Sequence, residues 1–202
     1  MADHLNVELK YAEIEPPMCW QQIFGNPAPV DIEIGFGKCG FLLEIAAQHP
    51  TTNFVGIESS RKYYRKGITK VQRAGLNNVK LLWGEAFHIF KRYVPDHSVA
   101  NIYINFPDPW PKKRHAKRRL LQAELVSLLA SKLYPAGCLE IATDIESYLN
   151  QIQEIFLANA MYAMVYSHTS THHGSVRTYC SDYEVMFPQE GKTIYYIKYK
   201  RK

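Results

Sequence analysis

One stretch constrains the fold more than any other: residues 30 to 40, VDIEIGFGKCG, an apolar run that meets Gly35 and Gly37 and passes directly into the helical pattern FLLEIAAQ. Glycine supplies the tight turn and the close backbone approach that join a buried strand to a helix. The chain repeats the theme. Apolar runs recur at 53 to 57 (NFVGI), 79 to 82 (VKLL), 100 to 105 (ANIYIN) and 138 to 142 (CLEIA), and helical periodicity fills RKYYRKGITKVQRA from Arg61 and LLQAELVSLLASKL from Leu120. Strands alternating with helices predict an α/β fold, built on a mostly parallel sheet with helices on both faces.

After residue 144 the pattern changes to one helix (IESYLNQIQEIFLAN), a weak strand near 163 to 166, a polar loop from 167 to 182, and the alternating KTIYYIKYK. Tyr195, Ile197 and Tyr199 share one face of that last strand and Tyr196 and Lys198 the other, which predicts a C-terminal antiparallel hairpin completing the sheet. Residues 1 to 28, with Pro16, Pro17 and Pro27, predict an irregular N-terminal lead-in. With 202 residues, 47% of them hydrophobic, and no Ser/Gly/Pro-rich linker, a single domain over 1–202 is expected. No apolar run approaches the roughly 18 residues that span a bilayer, and the N-terminus lacks a basic flank followed by an apolar run, so a cytoplasmic protein with no membrane partner is expected. Cys19, Cys39, Cys138 and Cys180 form no C-x-x-C pair, which predicts reduced thiols and no metal site.

Two segments carry chemistry. Gly35, Gly37 and Gly40 form G-x-G-x-x-G after a strand, a turn that suits a nucleoside-bearing cofactor and does not by spacing exclude a dinucleotide. Glu33 lies at the strand end, where a carboxylate can receive an amino group. Glu58, 25 residues further on, ends the next strand, where an acid accepts two ribose hydroxyls. An ordinary tight turn is the competing reading. The second segment is NFPDPWPKKRHAKRR, residues 105 to 119. Pro107, Pro109 and Pro111 stiffen a loop at the C-terminal edge of the sheet, holding Asp108 beside Trp110 at the ligand crevice. Six Lys/Arg and no acid follow between residues 112 and 119, against a net charge of only +5 for the whole chain. A charge run usually marks a solvated helix face; the proline spacing and the absence of acids here point to a phosphate-bearing partner.

From about residue 30 to 200 the sequence resembles the bacterial type of tRNA (guanine-N7)-methyltransferase, with NFPDPWPKKRHAKRR matching that family's hallmark. The resemblance implies a Rossmann-like fold using S-adenosyl-L-methionine and tRNA. It implies that Glu33, Glu58, Glu85 and Asp108 contact the cofactor beside Gly35 and Gly37. Lys112 and Asp144 would meet the guanosine, with Ser181, Asp182, Tyr183 and Glu184 as a second substrate element. Arg114, His115, Lys117, Arg118 and Arg119 would reach RNA, and the target would be guanine 46 of the variable loop. The chain departs from the family pattern at Cys39, which stands at the third glycine of G-F-G-x-G, at Glu85 for a commoner Asp, and at Ser181 for a Thr.

Guanine N7 carries an in-plane lone pair and no hydrogen, so attack on a methyl donor needs no general base. Positive charge moves onto the purine, and nearby carboxylates stabilise it; Asp144, Glu184 and Asp108 are the catalytic candidates. Bland readings stand beside these: Thr143 or Asp144 as a helix N-cap, SDYE as a polar turn, His172 and His173 as exposed loop residues, Trp20 and Trp83 as core. Two other functions compete. N-F-P-D superficially matches the N-P-P-aromatic motif of amino-group methyltransferases, and Cys39 in the glycine loop is compatible with an RNA-binding module whose cofactor pocket has decayed.

Overall fold

The computed structural model describes residues 6–110, 112–171 and 179–202. In chain order its elements are α1 (Trp20–Phe24), β1 (Val30–Ile34), α2 (Gly40–Gln48), β2 (Asn53–Glu58), α3 (Arg61–Ala74), β3 (Val79–Trp83), α4 (Ala86–Arg92), β4 (Val99–Asn105), α5 (Ala123–Lys132), β5 (Leu133–Thr143), α6 (Glu146–Leu157), β6 (Tyr162–Ser170), α7 (Asp182–Met186) and β7 (Ile194–Arg201). The sheet runs β3-β2-β1-β4-β5-β7-β6. β1 to β5 pair in parallel, and β7 is antiparallel to both β5 and β6. Strand order reverses between β1 and β4, the point at which an open α/β sheet leaves a crevice beyond its strand ends.

Both faces are covered, which is why the central strands read as continuous apolar runs. Ile32, Ile34, Val55 and Ile57 pack with Phe90, Leu125, Leu129 and Ile152 from α4, α5 and α6. On the other face Phe54 and Leu81 meet Phe41, Leu42 and Ile45 of α2 and Tyr64 and Val71 of α3. Gly56 permits that close packing, since a Cβ there would lie 2.7 Å from Leu42, Leu81 and Phe36.

The C-terminal hairpin of β6 and β7 is present, with β7 inside the sheet and β6 at its edge: β7 lies between β5 and β6, and Ile197 and Tyr199 are buried. Residues 167–170, expected in a loop, belong to β6, because Ser167 to Ser170 keep register with Ile197 to Ile194. The N-terminal lead-in is anchored to β3. Leu81 N–H donates to Val7 O at 2.8 Å and Leu9 N–H to Leu81 O at 2.9 Å, while Val7 and Met18 are buried. Pro111 and the pair His172 and His173 lie outside the described residues.

One face of β1 and β4 is polar. Asp31 accepts from Asn101 N–H at 3.0 Å, from the Asn101 side chain and from the Tyr103 hydroxyl at 3.2 Å. Burial nevertheless pushes its carboxyl up to about 6, and the charge of Glu140 adds to the rise.

Candidate active site

The site begins where β1 ends. Gly35 has φ +77°, and the space where its Cβ would stand is open, so the backbone itself forms the wall of the crevice. Glu58, at the end of β2, grips this turn: its Oε2 accepts from Gly37 N–H at 2.8 Å and its Oε1 from Ser60 N–H at 2.7 Å. Each oxygen retains a lone pair for a ligand. Cys39 has φ +67° and is fully buried. It adopts the left-handed backbone that a glycine takes without strain, and its side chain packs with Phe36 and Phe41.

The second wall follows β4. Phe106 N–H donates to Ala142 O at 2.8 Å, fixing the start of the loop to β5. The Phe106 ring meets Phe187 at 5.3 Å and Tyr183 at 5.6 Å, which brings α7 against the loop that carries Asp108. Phe106 and Trp110 both have positive φ, at 49° and 40°. Trp110 stands edge-on to His115 at 5.9 Å, and the Arg118 guanidinium lies 5.1 Å from the Trp110 ring centre.

These walls enclose a cleft of about 760 Å³. Gly35, Gly37, Glu58, Glu85 and Asp108 of the expected cofactor set line it, together with Lys117, Arg118 and Tyr183. Glu33 stands behind the wall. It is 2% exposed, and its Oε1 accepts from the Asn105 side chain at 3.0 Å. Asn105 itself lines the cleft; sequence reasoning met it only as the first residue of N-F-P-D and gave it no role in the cofactor site.

The remaining expected residues divide. Asp144 lies partly exposed just past β5; α6 has Ile145 as its N-cap with no side-chain bond, so Asp144 is not spent on capping. Thr143 Oγ1 instead accepts from Ile145 N–H at 3.2 Å. Ser181 and Glu184 form a capping box at α7, in which the Glu184 carboxylate accepts from Ser181 N–H at 2.6 Å and is fully buried. The Asp182 side chain lies outside what is described. Lys112 and Arg114 are exposed, adjoining the 3-10 helix Lys113–Arg118 and within it.

Two expectations are corrected. Arg119 was expected to reach RNA but is 6% exposed. Its guanidinium donates to Pro109 O at 2.8 Å, to Ser147 O at 3.1 Å and to Gln151 Oε1 at 2.7 Å, and lies over Tyr148 at 4.8 Å. It ties the Asp108 loop to α6 and has no free face for a phosphate. Trp83 was expected in the core and is 43% exposed; its indole N–H donates to Ser59 O at 2.9 Å, holding the ring on the surface.

Comparison with known proteins agrees with this architecture. The family model described as "Putative methyltransferase" matches residues 27–197. A tRNA (guanine-N(7)-)-methyltransferase of Geobacter metallireducens is 33% identical over 189 residues, covering 94% of this chain and 90% of that protein. The protein of the same name from Thermotoga maritima is 39% identical over 148 residues, 73% of this chain; the match spans 47% of that longer protein. Among solved structures, the 16S rRNA methyltransferase KamB superposes with a TM-score of 0.66 at 12% identity, covering 96% of this chain and 94% of its own. An antibiotic-related methyltransferase gives 0.64 at 16% identity, covering 89% and 91%. The fold is therefore the Rossmann-like methyltransferase fold, and the chain belongs to the tRNA (guanine-N7)-methyltransferase family.

Proposed function

We propose that this chain transfers a methyl group from S-adenosyl-L-methionine to N7 of a guanine in tRNA, with guanine 46 of the variable loop as the specific target. The observation that carries the reading is the single cleft in which the Glu58-held glycine turn meets the Asp108 loop and the cations Lys117 and Arg118. The residues present fit the cofactor: open space before Gly35 admits a ligand against backbone, and three carboxylates, Glu58, Glu85 and Asp108, share the walls.

When bound, S-adenosylmethionine supplies an electrophilic methyl carbon attached to a sulfonium. Glu58 accepts the ribose hydroxyls with the lone pairs left after holding Gly37 and Ser60. Asp108 and Glu85 bind the remaining donors of the cofactor, and Asn105, oriented by Glu33, presents an amide to it. Trp110 and Tyr183 give the guanine aromatic walls. Asp144 accepts hydrogen bonds from guanine N1–H and the exocyclic amine, selecting guanine over adenine, and stabilises the charge that develops on the purine. No group removes a proton before transfer, because N7 has none. Lys117 and Arg118 meet backbone phosphates at the mouth of the cleft.

The test is to incubate pure protein with methyl-labelled S-adenosylmethionine and unmodified tRNA, then identify the labelled nucleoside. N7-methylguanosine is expected, and it should vanish when guanine 46 is replaced by adenine. N6-methyladenine would establish the amino-group reading instead. Tight tRNA binding with no transfer would establish the RNA-binding module.

A further inference from the structure

A second basic surface lies outside the family hallmark. α3 carries Arg61, Lys62, Arg65, Lys66, Lys70 and Arg73 with no acid among its 14 residues. At 3.6 residues per turn these six fall on the side opposite Tyr64, Gly67 and Val71, which are buried, and all six are exposed. Among the described residues, none of the six pairs with a carboxylate. The charge is local: outside residues 61–73 and 112–119, the chain has 12 Lys and Arg against 19 Asp and Glu.

The surface is continuous with the cleft. Ser59, Ser60 and Tyr63, at the start of α3, line it. Exposed Trp83 stands at the same end, with the Arg61 guanidinium 5.4 Å from its ring centre. From there α3 leads away for about 21 Å. A helix of like charges repels itself, and like-charged residues four apart on its surface destabilise it. An extended polyanion that begins in the cleft would relieve that repulsion along the whole helix.

We infer that α3 is a docking surface for the tRNA body, holding backbone phosphates remote from the target guanine while the 112–119 segment holds those beside it. The inference rests on tRNA being the substrate. It assigns α3 to affinity and leaves chemistry to the cleft.

The test is a variant with Lys62, Arg65, Lys66 and Arg73 all changed to Gln, which spares Arg61 on Trp83 and Lys70, whose Nζ donates to Lys38 O at 2.6 Å. Gln has nearly the helix propensity of Lys and Arg, so the melting temperature should hold. Binding of an unmodified tRNA transcript is measured by anisotropy across a salt series. The slope of log K against log salt should flatten by about two to three. KM for full-length tRNA should rise tenfold or more, with kcat and S-adenosylmethionine affinity unchanged. A short stem-loop bearing only the target region should bind wild type and variant equally. An unchanged slope in a folded variant would overturn the inference, as would an equal loss on the short and full-length RNAs. The binding arm needs no transfer: a wild type whose tRNA affinity depends on α3 but which forms no N7-methylguanosine would remove the proposed reaction and leave this surface standing.

Discussion

The two basic segments carry the same number of cations and use them differently. In α3 the 3.6-residue period sends all six to solvent, because the buried stripe is supplied by Tyr64, Gly67 and Val71. In the 112–119 segment the chain turns through a short 3-10 helix, and the last arginine is folded back under the loop that precedes it. Arg118 and Arg119 are neighbours, yet Arg118 is exposed on the face of Trp110 and Arg119 is buried on Tyr148. Positive charge serves as an electrostatic surface in one segment and, at one position of the other, as a structural tie. Whether the guanidinium is free or anchored decides what its loss will do.

The largest effect should come from the anchor. Arg119→Ala leaves Pro109 O and Ser147 O without their buried donor and frees the Asp108 loop, which should cost about 3 kcal/mol in denaturant melts. Arg118→Ala should cost well under 1 kcal/mol and instead flatten the salt dependence of tRNA binding by about one unit. Equal melting temperatures for the two variants would show that Arg119 is no more a structural tie than Arg118.

The same division holds for the acids. Asp144, free of capping, is the proposed guanine contact, so Asp144→Asn should leave stability unchanged and slow single-turnover methyl transfer by roughly a hundredfold. Glu184, buried in its capping box, should behave oppositely, with Glu184→Ala costing about 1 to 2 kcal/mol of stability. A destabilised Asp144→Asn with full transfer would return Asp144 to a structural role.

A pH-dependent effect comes from Asp31. The folded chain holds its carboxyl at about 6, above the value near 4 of an unfolded chain, so the folded state binds the proton more tightly. The contribution is therefore fully favourable below about pH 4 and is lost as pH rises through 6, a difference of roughly 3 kcal/mol. Asp31→Asn should remove that slope. Urea melts at pH 4, 5, 6 and 7 decide it; parallel curves for wild type and variant would contradict the assignment.

Much of this was legible in the sequence for identifiable reasons. β1 to β5 announce themselves because strands buried on both faces are continuous apolar runs, and the glycine turn with Glu58 lies within 25 residues of chain. What was missed depends on partners distant in sequence. The burial of Arg119 needs Ser147 and Gln151, 28 and 32 residues away. The Asn105 amide is recognisable as part of the site only once Glu33 lies across from it, 72 residues earlier. Trp83 looked like core because tryptophan is large and apolar, but it closes an outer strand whose last residue faces solvent. The cations of α3 escaped notice because helical spacing dilutes them along the chain and concentrates them only in space. The insertion of β7 between β5 and β6 is a matter of long-range pairing, on which local alternation is silent.

If guanine N7 in tRNA is the nucleophile, replacing that one atom abolishes methyl transfer. Two otherwise identical tRNA transcripts are prepared by ligation, one with guanosine and one with 7-deazaguanosine at position 46, and each is given to wild-type protein with labelled S-adenosylmethionine under single-turnover conditions. Label is expected on the guanosine tRNA, recovered as N7-methylguanosine, and none on the deaza tRNA, with the two RNAs binding equally well. Equal methylation of both transcripts would contradict it.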